Sequence, residues 1–218
     1  MPNATVAASN APVFRGASSA SPAATKRPPF ILARLALGKA DQESLNYLVK
    51  GAAFHGKGAM FGKSSLSRIL GNYQDELPDH IVEGILKQMV RYREFLSGGT
   101  ENHRAMKRTA GLIFGERFPD STFHHDITGR ELAEICRKYV RDYGRTIYAT
   151  SMREYLSPVY HAVNTNPWLT AAECSRVPET RLMARAIVDW MMADLALNAH
   201  HGIIVPPLLR CKEMLKGH

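Results

Sequence analysis

Hydrophobic positions along most of the chain recur at the three- to four-residue spacing of an amphipathic helix. The pattern is strongest over residues 79–95, 127–155 and 181–198, which we interpret as the main helices. Shorter patterns predict helices at 41–49, 64–73 and 159–163 and another after Pro206. Hardly any stretch alternates apolar and polar residues as a half-buried strand would, and only the runs 112–114 and 203–205 are strand candidates. The pattern therefore predicts an all-α fold.

Boundary signals refine three of these elements. Thr128 and Glu131 have the T-x-x-E spacing of a capping box, so the longest helix should begin there. Gly144 is expected to break or kink that helix, because glycine lowers helix stability. Pro158 and Pro167 are expected to bracket the short helix at 159–163.

The N-terminal part differs in composition from the rest of the chain. Residues 1–29 are rich in Ala, Ser, Pro and Asn, and no acidic residue precedes Asp41. Such a segment buries too little apolar surface to offset its ordering entropy. The predicted division is a flexible N-terminal arm, a helical core domain and a C-terminal segment, at 1–40, 41–200 and 201–218 respectively. The core forms either one unit or two lobes joined near residues 98–127.

Charge gives the first indication of a partner. The 218 residues carry a formal net charge of +8, which favours a polyanion such as nucleic acid. No run of 18 or more apolar residues occurs, so we expect no membrane span. Cys136, Cys174 and Cys211 are far apart, and the pair His124-His125 has no third ligand at helical spacing. We therefore expect no disulfide, no metal and no cofactor.

One loop partly matches a motif found in enzymes. Residues 55–64 end in Gly62-Lys63-Ser64, like a phosphate-binding P-loop, but Lys57 stands where that motif needs its first glycine. No G-x-S-x-G motif and no pair of carboxylates stands out either. We expect a protein that is not an enzyme and has no small-molecule substrate. Lys57 and Lys63 are then predicted to contact a nucleic-acid backbone.

A basic stripe runs along the longest predicted helix. Arg137, Arg141 and Arg145 recur every four residues, and Tyr139 and Tyr143 lie between them. Arginines in such a row can follow phosphates, and tyrosines can stack bases. The alternative interpretation is the solvated face of a surface helix.

Four segments between about residues 76 and 195 resemble the coat proteins of flexuous filamentous plant RNA viruses, of the potyvirus-like and potexvirus-like kinds. Residues 77–100, Leu-Pro-Asp-His to Ser-Gly-Gly-Thr, are similar to a helix of that family with its following turn. The similarity continues in Thr128-Gly-Arg-Glu-Leu-Ala-Glu-Ile-Cys-Arg-Lys-Tyr139, in Glu154-Tyr-Leu-Ser-Pro-Val-Tyr160 and in Ile187-Val-Asp-Trp190.

This resemblance implies a function. In that family a Ser, an Arg and an Asp line a groove that holds the RNA backbone. Matched by position, the Ser is Ser97 or Thr100 and the Asp is Asp189. A local match gives Arg130 as the Arg, whereas an ungapped match puts Ala133 there. The resemblance implies a capsid protein that coats single-stranded RNA in a homo-oligomeric filament, located in the virion and the host cytoplasm.

The arm would serve assembly in such a protein. Phe14 and the run Phe30, Ile31 and Leu32 are the candidate anchors on a neighbouring subunit, and the alternative is a contact within the same subunit. Two other functions suit an arm without acidic residues. The chain could be a bacterial secreted effector whose helical domain acts on a host protein, or an organelle-imported protein with a transit peptide.

Overall fold

The all-α fold is confirmed by the computed structural model, which describes residues 28–154, 157, 160–201 and 203–204. The described residues form eight helices, α1 (Pro28–Ala36), α2 (Gln42–Ala53), α3 (Ala59–Tyr73), α4 (Asp79–Met89), α5 (Glu101–Arg117), α6 (Gly129–Thr150), α7 (Tyr160–Cys174) and α8 (Pro178–Leu197). A short 3₁₀ helix, Gln74–Glu76, follows α3. Two small antiparallel hairpins pair β1 (Thr122–Phe123) with β2 (Ile127–Thr128), and β3 (Ala199–His200) with β4 (Ile203–Ile204).

Helix α5 lies at the centre of the molecule and is buried on nearly every side. It packs against α3, α6 and α7, and Ala110, Ile113 and Phe114 are fully buried. The prediction of two lobes joined near 98–127 is wrong, because this segment holds the central helix of one core. The predicted strand at 112–114 is wrong for the same reason: an apolar run also fits a helix that is buried all round.

Local capping signals agree with the structure. The Asp41 side chain accepts a hydrogen bond from the Ser44 N–H at 2.7 Å and so begins α2. The capping box of Thr128 and Glu131 is present at the start of α6. The short-range signals at these two N-termini were sufficient, because the partners are only three residues apart.

Three predicted boundaries are wrong, and packing accounts for each. Helix α4 ends at Met89, and the turn after it puts Tyr92 and Phe95 into the core. Helix α6 continues past Gly144, where the absence of a side chain makes room for Met183 of α8. Pro167 lies inside α7 instead of ending it, next to the fully buried Trp168, whose packing offsets a lost hydrogen bond.

Part of the predicted arm at 1–40 is folded. Residues 28–36 form α1, which packs on α3 with Ile31 completely buried. The prediction of a flexible segment is wrong for this helix, because its apolar side packs against the core. Residues 1–27, and with them Phe14, lie outside the described residues, as does the helix predicted after Pro206.

No helix in the described part of the chain is both long enough and apolar enough to cross a membrane.

Candidate nucleic-acid interface

The residues implied by the viral resemblance do not meet in one groove. Tyr148 of α6 contacts Trp190 and the Ala186 carbonyl of α8, so Asp189 lies beside the C-terminal end of α6. Arg130 lies at the other end of α6, about 27 Å away at 1.5 Å per residue. The Asp189 carboxylate is exposed and accepts a hydrogen bond from Arg185 at 2.9 Å. Arg130 and Asp189, which the resemblance implies to line one groove, therefore lie at opposite ends of α6 in the subunit.

Arg130, Ser97 and Thr100 have local structural partners instead. Arg130 forms an exposed salt bridge with Asp120 at 2.9 Å. Ser97 accepts a hydrogen bond from Lys107 at 2.7 Å, which ties the loop before α5 to that helix. Thr100 precedes the first residue of α5, and its hydroxyl donates to the Asn102 side chain.

Lys63 cannot contact a nucleic acid, because it is completely buried. Its ammonium donates hydrogen bonds to the carbonyls of Gly51 (3.1 Å), Ala52 and Phe54 (2.8 Å), at the C-terminal end of α2. Burial lowers its pKa to about 8. The prediction for Lys63 is wrong, whereas Lys57 is exposed in the loop between α2 and α3.

The predicted arginine stripe is largely neutralised by acids of the same chain. Arg137 forms salt bridges with Glu116 at 3.2 Å and Glu134 at 2.9 Å, and Arg141 reaches Glu134 at 3.5 Å. Arg137 is the first cause of a lowered pKa at Glu134. Tyr143, expected to stack a base, is buried against Trp168 with ring centroids 4.4 Å apart. Arg137 therefore ties α6 to α5, Arg141 pairs within α6, and only Arg145 of the stripe is exposed and without a salt bridge to a described residue.

A different set of basic residues forms an accessible cluster, which we call the basic patch. Its members are Lys57, Lys87, Arg91 and Arg93, all exposed. The His55 and Tyr92 rings are in edge-to-face contact with centroids 5.6 Å apart, so the loop carrying Lys57 meets the turn carrying Arg91 and Arg93. Lys87 lies one helical turn before Arg91. None of the four forms a salt bridge with a described residue.

The acid next to Arg93 in sequence is itself paired. Glu94 forms a salt bridge with Lys107 of α5 at 3.1 Å, and its carboxylate accepts a hydrogen bond from the Tyr92 hydroxyl at 3.5 Å. On the other side, the pKa of His124 is lowered by desolvation and by the charges of His125 and Arg93, with Asp126 opposing. The positive charge of Arg93 is therefore felt at His124, in the loop after β1.

An exposed aromatic ring lies beside the patch. Phe54 ends α2, is 56% exposed and lies three residues before Lys57. It lines a 340 Å³ cavity together with Tyr47 and Lys50 of α2. No local sequence pattern joins the basic residues at 87–93 to Lys57 and Phe54, because their proximity depends on the long-range contact of His55 with Tyr92.

The described residues contain no group of three His, Cys, Asp or Glu side chains placed to hold a metal ion. Comparison of the chain with known protein families, with curated proteins and with solved structures finds no match.

Proposed function

We propose that this chain binds single-stranded RNA without sequence preference through the basic patch, and that its subunits coat the RNA in a helical filament. The observation that carries the first part is the set of four exposed cations that form no salt bridge with a described residue, beside the exposed ring of Phe54. Backbone neutralisation needs only such cations, and an exposed aromatic ring can stack any base. RNA is the cargo in this proposal, and no reaction is required. The virion and the host cytoplasm are then the places in which the protein acts.

The salt dependence of RNA binding tests the patch. Each lysine or arginine that neutralises a phosphate adds about 0.7 to the slope of log affinity against log salt for a single strand. We expect Arg91→Gln and Arg93→Gln each to lower that slope by about this amount, and the double variant by about twice as much. Fluorescence anisotropy with a labelled single-stranded RNA at several salt concentrations measures it.

The control variants come from the same protein. Arg185→Gln changes an exposed arginine that is already paired with Asp189, so its slope should equal that of the wild type. Arg130→Gln tests the position implied by the viral resemblance. A protein that ignores RNA at low salt, or an unchanged slope in the Arg91 and Arg93 variants, contradicts the proposal.

Assembly is the second part of the proposal. Pro28, where the described chain begins, lines three cavities of 490, 340 and 150 Å³ that together form a groove along α3. We call this the α3 groove; Phe61 and Val163 are among its apolar lining residues. Residues 1–27 of one subunit would enter the α3 groove of the next, and a contact that does not close on itself builds a helix.

The predicted anchors contribute unequally to this contact. Ile31 is buried within its own subunit and Leu32 packs against the same core, so they are wrong as anchors for a neighbour. Phe30 is 41% exposed on α1, two residues after the groove-lining Pro28, and keeps the predicted role as a proposal.

A further inference from the structure

Two adjacent cavities of the α3 groove differ in their chemistry. The 150 Å³ cavity lies between α3 and α7, and most of the residues that line it have polar side chains. Its lining residues are Pro28, Leu32, Ser64, Ser65, Arg68, Asn166 and Thr170. The 490 Å³ cavity is lined mainly by apolar residues, among them Phe61, Met106 and Val163. Ser64 and Asn166 are among the residues that line both, so the polar cavity directly adjoins the apolar one.

Two residues that line the polar cavity each carry a buried hydrogen-bond donor without a partner. Ser64 is only 4% exposed, and its hydroxyl forms no hydrogen bond in the part of the chain that the structure describes. The same holds for the Nε of Arg68, one helical turn further along α3. Buried polar groups without a partner are rare in native proteins unless a water or a ligand satisfies them. The polar cavity therefore has the character of a binding site.

The neighbouring polar groups of this cavity have partners within the chain. The Ser65 hydroxyl donates to a carbonyl of its own helix at 3.1 Å, and the Thr170 hydroxyl donates to the Asn166 carbonyl at 3.1 Å. The side-chain oxygen of Asn166 accepts a hydrogen bond from Arg68 at 3.3 Å and has a second lone pair. The two buried donors thus remain for a ligand, which must offer a group that accepts hydrogen bonds.

The charge of the polar cavity is already balanced. The Arg68 guanidinium donates to both carboxylate oxygens of Glu173 at 3.0 and 2.8 Å. Among the described residues, Arg68 is the only charged one that lines either cavity. A carboxylate ligand would add a second anion to a cation that is already paired, and an ammonium ligand would offer no acceptor. A neutral carbonyl oxygen has two lone pairs and can accept from both donors.

We propose that the two cavities form a binding site for a small neutral amide with an apolar body. The amide oxygen accepts hydrogen bonds from the Ser64 hydroxyl and the Arg68 Nε, and an amide N–H donates to the second lone pair of the Asn166 side-chain oxygen. The apolar body lies in the 490 Å³ cavity beside Phe61 and Met106. Binding sites for small molecules commonly combine an apolar pocket with a few polar groups in this way.

This amide site goes beyond the proposed function, because it requires neither RNA nor a second subunit. The amide and an arm in the α3 groove would exclude each other, since both fill the same 490 Å³ cavity. Binding is therefore measured on the full chain without RNA. Its outcome is independent of whether RNA binds the basic patch or whether filaments form.

Isothermal titration calorimetry tests the site with hydrocinnamamide as the probe. Phenylpropylamine and hydrocinnamate have the same apolar body, but the first carries an ammonium and the second a carboxylate in place of the amide. We expect hydrocinnamamide to bind about ten-fold more tightly than either, because the amine lacks an acceptor and the acid brings an uncompensated charge. No heat with the amide, or an amine or acid that binds as tightly as the amide, would overturn the proposal.

Two variants test the two halves of the site separately. Ser64→Ala removes one donor, so it should weaken hydrocinnamamide about five-fold and leave phenylpropylamine unchanged. Thr146→Ala is the matched control, because its hydroxyl donates to the Asp142 carbonyl at 2.8 Å on α6, which lines neither cavity. Ala162→Trp narrows the apolar cavity from an exposed position of α7 and should weaken the amide as well. Undiminished amide affinity in either groove variant would overturn the proposal, and Ala162→Trp decides alone if Ser64→Ala fails to fold.

Discussion

The ammonium of Lys63 closes the C-terminal end of α2 from within the core. The last carbonyls of a helix have no partner inside the helix and carry its partial negative charge. Lys63 reaches those of Gly51 and Ala52, and also the carbonyl of Phe54, from the neighbouring helix α3. The same ammonium lies 5.4 Å from the centre of the Tyr92 ring. One buried side chain thus fixes α2, α3 and the turn after α4 relative to one another.

Replacing Lys63 by methionine should destabilise the protein by about 3 kcal/mol at pH 7, since three carbonyls lose their donor. The pH dependence follows from a pKa of about 8, compared with about 10.4 in an unfolded chain. Between these values the unfolded state binds more protons, so wild-type stability rises with pH through this window. Lys63→Met should lack that rise.

Urea denaturation at pH 7 and pH 9.5 measures both effects. Lys57→Met, at an exposed position, is the matched control and should change neither value by more than about 0.5 kcal/mol. A Lys63→Met variant as stable as the wild type would contradict the capping role.

The sequence shows which residues are charged, but the contacts of those residues were hard to predict. The sequence predicted Lys63 and Asp189 to contact RNA because a lysine and an aspartate stood at suggestive positions. Whether a charge is exposed, buried or paired depends on residues far along the chain or on the other side of a helix. Lys63 meets carbonyls nine to twelve positions earlier, and Glu101 meets residues more than 40 positions away. No local sequence pattern indicates contacts between residues so far apart in the chain.

Helices α5 and α6 approach each other closely through glycines. A methyl group added at Gly115 would lie 2.5 Å from the Gly129 carbonyl oxygen and 2.8 Å from the Ala133 nitrogen. Both neighbours are backbone atoms, which cannot move aside without moving α6. Glycine at this position lets α6 begin directly against the end of α5, where Glu116 also holds Arg137.

Gly115→Ala should therefore destabilise the fold by about 2–3 kcal/mol, although alanine is the better helix former. Gly62→Ala in α3 is the matched control, because no atom lies within 4 Å of the added methyl group. That change should stabilise the protein by about 1 kcal/mol. Thermal unfolding gives the melting temperature of both variants. Changes of the same sign relative to the wild type would contradict the close-packing argument.

Elements were predicted best where the signal is local. The cap at Asp41 and the capping box at Thr128 involve neighbouring residues, and both helices begin where expected. The central helix α5 was missed because it is buried on most sides and shows no amphipathic period. Pro167 and Gly144 are residue types that often end a helix, but tertiary packing outweighs this tendency and the helices continue through both positions.

At the scale of the whole molecule, the proposed filament needs a contact that repeats. The α3 groove begins at Pro28, and Phe30 is exposed two residues further along α1, between the groove-lining residues Pro28 and Leu32. Docking of a neighbouring subunit that covers this exposed phenylalanine would remove apolar surface from water. In the proposed assembly the cations of the basic patch hold the RNA, and the arm sets the spacing between subunits.

Phe30→Ser should therefore weaken assembly on RNA while leaving the monomer folded, because the side chain is 41% exposed and its neighbour Ile31 supplies the core contact. Leu182→Ser is the control: Leu182 is 72% exposed on α8, away from the groove, and should not affect assembly. Negative-stain microscopy and sedimentation of protein mixed with RNA distinguish filaments from single subunits. Loss of filaments in Phe30→Ser with unchanged RNA affinity at low protein concentration would separate assembly from RNA binding. Filaments that form equally well in both variants would remove Phe30 from the contact, and a wild type that remains monomeric on RNA would reject the filament itself.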